Sequence, residues 1–397
     1  MLSKKISDKL GNSSWIRAMF EQGIKLRKIY GDDKVYDFSL GNPDPQPPIE
    51  TKEALRKLVI DDSPELHKYM SNAGFLDVRE KVAFHINKET GLDLTAENII
   101  MTVGAAGAIN VILKAILEQD DEVIALSPYF VDYGSYVDNH GGKLVLSPCT
   151  KPDFQPDLLD LEKRITPKTK AIIINSPNNP TGVIYKEEVL KNMAKLLEDK
   201  EKELGTEILV ISDEPYVKLV YDGVKVPSIL NIFKNSAIVY SYSKSLAIPG
   251  ERIGYIAVNP AIKDASRLVA GLVFANRVLG FVNAPGLFQK LIAESLDHTV
   301  DPKIYQERRD KLFDILTSLG FECIKPEGTF YLFPKALIED DIAFVKHALK
   351  YNLLFVPGSG FGCPGYFRIS YCVDMKTIEN SIPAFEALAN DFKNMET

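Results

Sequence analysis

The chain has 397 residues, 45% hydrophobic and 25% charged, with a net charge of −7, which is the balance of a globular protein large enough for two or three domains. The negative balance argues against nucleic acid as a partner, and no run of 18 uninterrupted apolar residues offers a membrane span. Four cysteines (Cys149, Cys323, Cys363, Cys372) form no C-x-x-C pair and the N-terminus lacks a continuous apolar stretch; a reduced, cytoplasmic protein without signal peptide, metal site or disulfide scaffold is expected.

Residues 1–36 read as a polar arm with one amphipathic helix over about 14–30. GNPDPQPP (41–48) carries four prolines in eight residues, so it is expected to be an extended connector between domains. From about residue 96 strands and helices alternate. NIIMTV (98–103) predicts a strand and GAAGAINVILKAILEQ (104–119) a helix. Further strands are predicted at 122–126, 143–147, 170–175, 207–213 and 237–243, with a helix over 186–204. Near-continuous apolar strands between helices imply a mostly parallel sheet buried on both faces. RIGYIAV (252–258) follows the preceding strand after a short loop through Pro249-Gly250, which suggests one antiparallel strand. Beyond 295 the pattern becomes helical (286–319 with a break near 298–302, and 340–351) with short strands at 331–334 and 366–371. The predicted fold is α/β: a mostly parallel seven-stranded sheet in a large domain (47–294), a smaller α+β domain (295–397), and an N-terminal arm (1–46) that packs with the latter.

Ligands of open parallel sheets bind beyond the carboxyl ends of the strands, so the residues there are the candidates. Gly104-Ala105-Ala106-Gly107 opens a helix whose free N–H groups can take a phosphate. Ser127-Pro128-Tyr129-Phe130 offers an aromatic face, SPNNPTG (176–182) an amide at Asn179, and DEPY (213–216) a carboxylate at Asp213 and a phenol at Tyr216. SYSKSLAIPGERIG (241–254) places Lys244 between serines with Arg252 eight residues on. Each has an ordinary reading: close helix packing for GAAG, core for Phe130, a turn for SPNNPTG, a helix cap for Asp213, a solvated cation for Lys244 or Arg252. Their convergence on one sheet edge describes a receptor for a flat, phosphorylated, carbonyl-bearing heterocycle, and pyridoxal phosphate is such a molecule.

LGNPD (40–44), Y-x-x-x-x-G (69–74), SPNNPTG, DEPY, SxSKSxxxxGxRIG (241–254) and FRIS (367–370) together make the chain resemble the class I/II aminotransferases of fold type I, the aspartate aminotransferase family. The resemblance implies pyridoxal 5'-phosphate as cofactor, with Lys244 forming the Schiff base and then serving as general base. It implies Asp213 on the pyridine nitrogen, Asn179 and Tyr216 on the ring's phenolic oxygen, and Phe130 stacked on the ring. Backbone at Ala105 and Ala106, the hydroxyls of Ser241 and Ser243, and Arg252 would meet the phosphate. Arg368 would bind the substrate α-carboxylate, with Asn179 beside it and Gly41 allowing close approach of the chain. Tyr69 would reach the phosphate of a neighbouring subunit, which implies a homodimer with shared sites. Cis peptides are expected before Pro128 and Pro180. Ala105 and Ala106 depart from the hydroxyl or lysine that many relatives carry there, leaving only backbone N–H groups at that point.

The implied function is amino-group transfer between an L-amino acid, aspartate first, and a 2-oxo acid such as 2-oxoglutarate. Aromatic or alanine aminotransferase activity, or a carbon–sulfur β-lyase on the same scaffold, are the alternatives; a ligand sensor is disfavoured by the intact lysine. A dicarboxylic substrate needs a second cation, for which Arg17, Arg27 and Arg277 are candidates, none in a recognisable motif. GFGCPG (360–365) fits G-x-G-x-x-G, but it precedes a strand and carries a proline, so no dinucleotide site is expected.

Overall fold

Seven strands form the central sheet: β1 (Ile99–Thr102), β2 (Glu122–Ser127), β3 (Lys143–Pro148), β4 (Thr169–Ile174), β5 (Leu209–Asp213), β6 (Ser236–Ser241) and β7 (Gly254–Val258). The structure, a computed structural model, describes residues 1–11 and 15–393. The sheet order is β1-β7-β6-β5-β4-β2-β3. Every pairing is parallel except those of β7, which runs antiparallel to both β1 and β6. The link between β6 and β7, residues 242–253, holds only the one-turn helix Tyr242–Ser245 and a 3-10 turn at Pro249–Glu251, with no helix to cross the sheet and bring the chain back parallel, so β7 returns antiparallel.

Alternate residues of each strand feed opposite layers, as the two-residue period requires. Val123, Ala125, Ile173, Ile211 and Val239 pack on one side, while Ile124, Leu126, Ile172, Ile174 and Val210 pack on the other. Both sets are apolar because both faces are covered, which is why the strands read as continuous runs. Helix α1 (Trp15–Tyr30) packs on the C-terminal part of the chain through Met19 and Leu26. Among the covering helices are α2 (Gly104–Ile116), α3 (Glu187–Leu204) and, following a short α4 (Tyr242–Ser245), α5 (Ala265–Val278). The helix expected over 14–30 is thus Trp15–Tyr30, residue 14 lying outside the described residues; a further short helix, Lys4–Gly11, precedes it.

A second, antiparallel sheet has the order β9 (Val356–Pro357), β10 (Phe367–Ser370), β8 (Tyr331–Leu332). Around it lie helices Pro302–Ser318, Asp341–Ala348 and α6 (Met375–Lys393). Tyr36–Asp37 pairs in parallel with Leu353–Leu354, and Phe38 packs on Phe355 and Phe385. The amino-terminal segment is therefore knitted into the C-terminal layer. Residues 41–48 carry neither helix nor strand, as their prolines require.

Three expectations change. The strand expected to run to Ser243 ends at Ser241, because Ser241 Oγ accepts from Ser243 N–H and caps α4. Helix α6 was not expected at all. Its sequence contains Pro383, which reads as a helix stop, yet burial of Ile378, Phe385, Leu388 and Phe392 holds the helix through it. The peptide before Pro128 is cis as expected, but the one before Pro180 is trans; cis bonds lie before Pro177 and Pro152. Pro180 sits inside a tight turn, closed by Gly182 N–H to Asn178 O at 2.8 Å and Thr181 N–H to Asn178 Oδ1 at 3.1 Å, whereas the chain reverses out of β4 at Pro177. Among the described residues no helix is long and apolar enough to cross a membrane.

Candidate active site

Strand register brings the pieces of the site to one sheet edge. Gly254, the first residue of β7, lies opposite Thr102, the last of β1, and opposite Ser241, the last of β6. Arg252, two residues earlier, therefore arrives at the edge where the parallel strands end. It sits in the left-handed region (φ 51°), donating to Pro249 O at 2.9 Å and to Ser243 Oγ at 3.3 Å. Ser243 Oγ lies 2.8 Å from Ser241 Oγ. Across from them α2 begins at Gly104, with φ +77° and no room for a side chain: a Cβ there would stand 2.8 Å from Arg252 Nη2. Two hydroxyls, a guanidinium and the free N–H groups at Ala105 and Ala106 thus converge as an anion cradle.

At the end of β5, Asp213 is buried, and Tyr133 donates a 2.6 Å hydrogen bond to its Oδ2. Its Oδ1 is buried with no hydrogen-bond partner among the described residues. Burial pushes the carboxyl up to about 6, against the opposing effect of the Tyr133 hydroxyl. Asn175, just after β4, ties this strand end to the next: its Nδ2 donates to Asp213 O at 2.8 Å and its Oδ1 accepts from Asn179 N–H at 2.7 Å. Phe130 packs edge-on against Tyr133, with ring centroids 5.5 Å apart.

Lys244 stands on α4. Its Nζ donates to Gly41 O at 2.6 Å and lies 5.4 Å from the Phe330 ring centre. Burial pulls its amine down to about 8, with Arg368 and Arg252 pushing the same way against Cys372. Gly41 has to be glycine, since a Cβ would run into the Tyr331 hydroxyl. Tyr331 also meets the Tyr216 hydroxyl at 3.4 Å. Arg368 is buried with its guanidinium between Tyr331 (4.4 Å) and Phe361 (4.8 Å). It donates to Asn179 Oδ1 at 3.0 Å and to Ser39 O at 2.7 Å, and its Nε has no partner. No carboxylate of the chain pairs with it among the described residues, and burial lowers its affinity for its proton.

One cavity of about 620 Å³ is lined by Gly41, Ala105, Ala106, Phe130, Asn179, Asp213, Tyr216, Ser241, Ser243, Lys244, Arg252 and Arg368. Of the residues singled out from sequence for the cofactor or the α-carboxylate, Tyr69 is absent from it, being 93% exposed near Met70 and Phe281; of the three candidate second cations, Arg17 lines it and Arg27 and Arg277 do not. Sequence reasoning missed Tyr133, Asn175, Tyr136 and Tyr331, as well as Ile16 and Phe20, which α1 brings to the cavity beside the candidate cation Arg17. Tyr133 and Asn175 flank motifs that were noticed, and each follows a strand end; Tyr331 gave no signal beyond its strand.

The sequence profile of aminotransferase class I and II matches residues 33–385. The chain belongs to that family. The aminotransferase is 32% identical over 375 residues to the probable aspartate/prephenate aminotransferase of Thermus aquaticus, covering 93% of this chain and 94% of that one. Its fold superposes on an amino transferase from Eubacterium rectale with a TM-score of 0.95 at 43% identity, covering 99% of each chain. It superposes on the aspartate aminotransferase of Thermus thermophilus, solved with maleate, with a TM-score of 0.86 at 29% identity over 98% and 99% of the two chains. The enzyme is a transaminase, and its cofactor is pyridoxal 5'-phosphate. The cavity suits that molecule on three independent counts: the unpartnered Asp213 Oδ1 can take a ring N–H, the cradle around Arg252 can take a phosphate, and the depressed Lys244 amine can attack an aldehyde.

Proposed function

We propose that the enzyme transfers the amino group of L-aspartate to a 2-oxo acid such as 2-oxoglutarate, acting as a cytoplasmic homodimer. The observation that carries the reading is Arg368: a buried guanidinium without an acidic partner, stacked between two rings and opening on the cavity that holds Lys244. A buried cation so placed calls for a carboxylate ligand, and its planar fork matches one. Aspartate is favoured because the similar Thermus proteins carry that substrate in their names.

Bound, the cofactor supplies an aldehyde that captures amines and a ring that draws electrons from the substrate's α-carbon. The chain's residues divide the remaining work. Asp213 Oδ1 would hold the proton of the ring nitrogen. Asn179 Nδ2, left free because Oδ1 serves Arg368, would donate to the ring's phenolic oxygen together with Tyr216. Phe130 would back the ring, while Ser241, Ser243, Arg252 and the N–H groups of Ala105 and Ala106 would hold the phosphate. Neutral Lys244 takes the proton from the substrate's α-carbon and returns it one position away. We infer a division into arm (1–46), large domain (47–294) and small domain (295–397), supported by the packing of Phe38 on Phe355 and Phe385.

The exposed Tyr69 supports a partner subunit that completes each site. Mixing Tyr69→Phe with Lys244→Ala subunits should then restore activity that neither has alone, because hybrid dimers contain one intact site. The substrate reading is tested by mixing purified holoenzyme with single amino acids and following the change in cofactor absorbance. Aspartate should convert it fastest. Faster conversion by tyrosine or alanine would replace aspartate, and release of pyruvate and ammonia from cystathionine without an oxo acid would replace transamination.

A further inference from the structure

We propose that Arg17 reads the side-chain carboxylate of an acidic substrate; this rests on the aspartate reading above and names the residue that would make it selective. Four cations line the cavity: Arg17, Lys244, Arg252 and Arg368. Three are tied by hydrogen bonds to other parts of the site: Lys244 to Gly41 O, Arg252 to Ser243 and Pro249 O, Arg368 to Asn179 and Ser39 O. Arg17 is different. Among the described residues its Nε meets only Glu21, one turn along the same helix, at 3.1 Å, and the two side chains are 75% and 55% exposed. An exposed pair of this kind is weak and readily exchanged, so the guanidinium is available to a better-placed carboxylate.

The helix that carries Arg17 is seated on the protein's interior. Met19 and Leu26 of α1 are buried, and Trp15 packs at 3.3 Å from where a Cβ on Gly360 would stand. Gly23 lies so close to Asp37 and Leu354 that a Cβ would come within 2.9 Å of Asp37 Oδ2. With that face anchored, Ile16, Arg17 and Phe20 line the cavity, Phe20 lying three and four residues from the other two, on the same side of the helix. Arg368 and Arg17 thus supply two separate guanidinium groups to one cavity, a match for a substrate with two carboxylates. The other two arginines fit the role less well. Arg27 is bound to the buried Asp37 at 3.0 Å, and Arg277 is an exposed residue of α5 outside this chain's cavity.

The test is calorimetric binding of succinate and of butyrate to holoenzyme, comparing wild type with Arg17→Ala, Arg17→Lys and Arg277→Ala; unchanged cofactor absorbance and melting temperature establish that each variant is intact. Wild type should bind succinate at least about tenfold more tightly than butyrate. Arg17→Ala should lose roughly 10- to 100-fold in succinate affinity, the range for a hydrogen-bonded charged group, with butyrate unchanged and Arg17→Lys in between. A wild-type succinate preference that survives in Arg17→Ala, or that vanishes in Arg277→Ala instead, overturns the proposal while leaving the aspartate reading intact. No succinate preference in the wild type removes the aspartate reading and this inference with it.

Discussion

The Tyr133 hydroxyl donates a 2.6 Å hydrogen bond to Asp213 Oδ2, leaving Oδ1 as a buried acceptor with no partner among the described residues. One carboxylate oxygen is spent on orientation and the other is kept for the ligand. A buried tyrosine whose own proton is held tightly by burial and by the neighbouring carboxylate remains a donor across the working pH range.

Tyr133→Phe removes that donor at almost constant volume. A hydrogen bond to a charged group contributes about 1.5–3 kcal/mol, so cofactor affinity, measured by titrating apoenzyme, should fall about tenfold or more. The acid limb of the kcat profile should move to higher pH, because Asp213 loses the one interaction that opposes its upward shift. A variant with unaltered affinity and pH profile would reduce Tyr133 to a packing residue.

Asp213→Asn separates stability from function. The folded carboxyl titrates near 6 against an ordinary value of 3.8, so the native state binds its proton more tightly than the unfolded chain does. Its contribution to stability is complete below about pH 4 and is lost as pH rises through about 6, a change on the order of 3 kcal/mol. Apoenzyme carrying Asn at this position should therefore melt higher than wild type at pH 7.5, with the gap closing by pH 4, while turnover drops by orders of magnitude. An apoenzyme destabilised equally at both pH values would contradict the assignment.

Lys244, with its amine near 8, should be roughly a quarter neutral at pH 7.5, against about one part in a thousand for an ordinary lysine near 10.4. The rate of cofactor uptake by apoenzyme should rise with pH and level off just above 8, since only the neutral amine attacks a carbonyl. Arg252→Gln removes one of the cations that depress it and should shift the inflection upward. Lys244→Ala should abolish turnover; retained turnover would end the reading.

Gly104→Ala tests the cradle through the backbone. The φ of +77° and a Cβ 2.8 Å from Arg252 Nη2 force either strain or displacement of the guanidinium. Stability should fall by about 1–2 kcal/mol, and cofactor affinity should drop in step with that of Arg252→Gln. Inorganic phosphate should protect the apoenzyme against thermal unfolding in wild type and fail to do so in both variants.

The central sheet was legible because burial on both faces leaves an unbroken apolar record in each strand, and the reversed β7 because its link to β6, turning through Pro249-Gly250, carries no crossover helix. Helix α6 was not legible: Pro383 speaks for a break, and only the aromatic cluster around Phe385 and Phe355 shows why the helix continues. Ser243 was read into a strand because a run of alternating residues carries no mark of the Ser241 cap that ends it.

The site divides along the same line. Sequence by itself determined which residues sit just past strand ends: Asp213, Asn179, Lys244 and the GAAG turn are local consequences of strand–turn–helix chemistry. Only the tertiary structure decided their partners. Tyr133 lies 80 residues from Asp213, Asn179 lies 189 from Arg368, and Gly41 lies 203 from Lys244. Tyr331, too, is brought by β8 against Gly41 and Arg368. Hydrogen bonds at such separations leave no periodicity in the chain, because what fixes them is the packing of elements whose order in space differs from their order in sequence. The same reason separates Arg17 from Arg27: both are helical arginines in the text of the chain, and the seating of α1 turns one toward the cavity and the other toward Asp37.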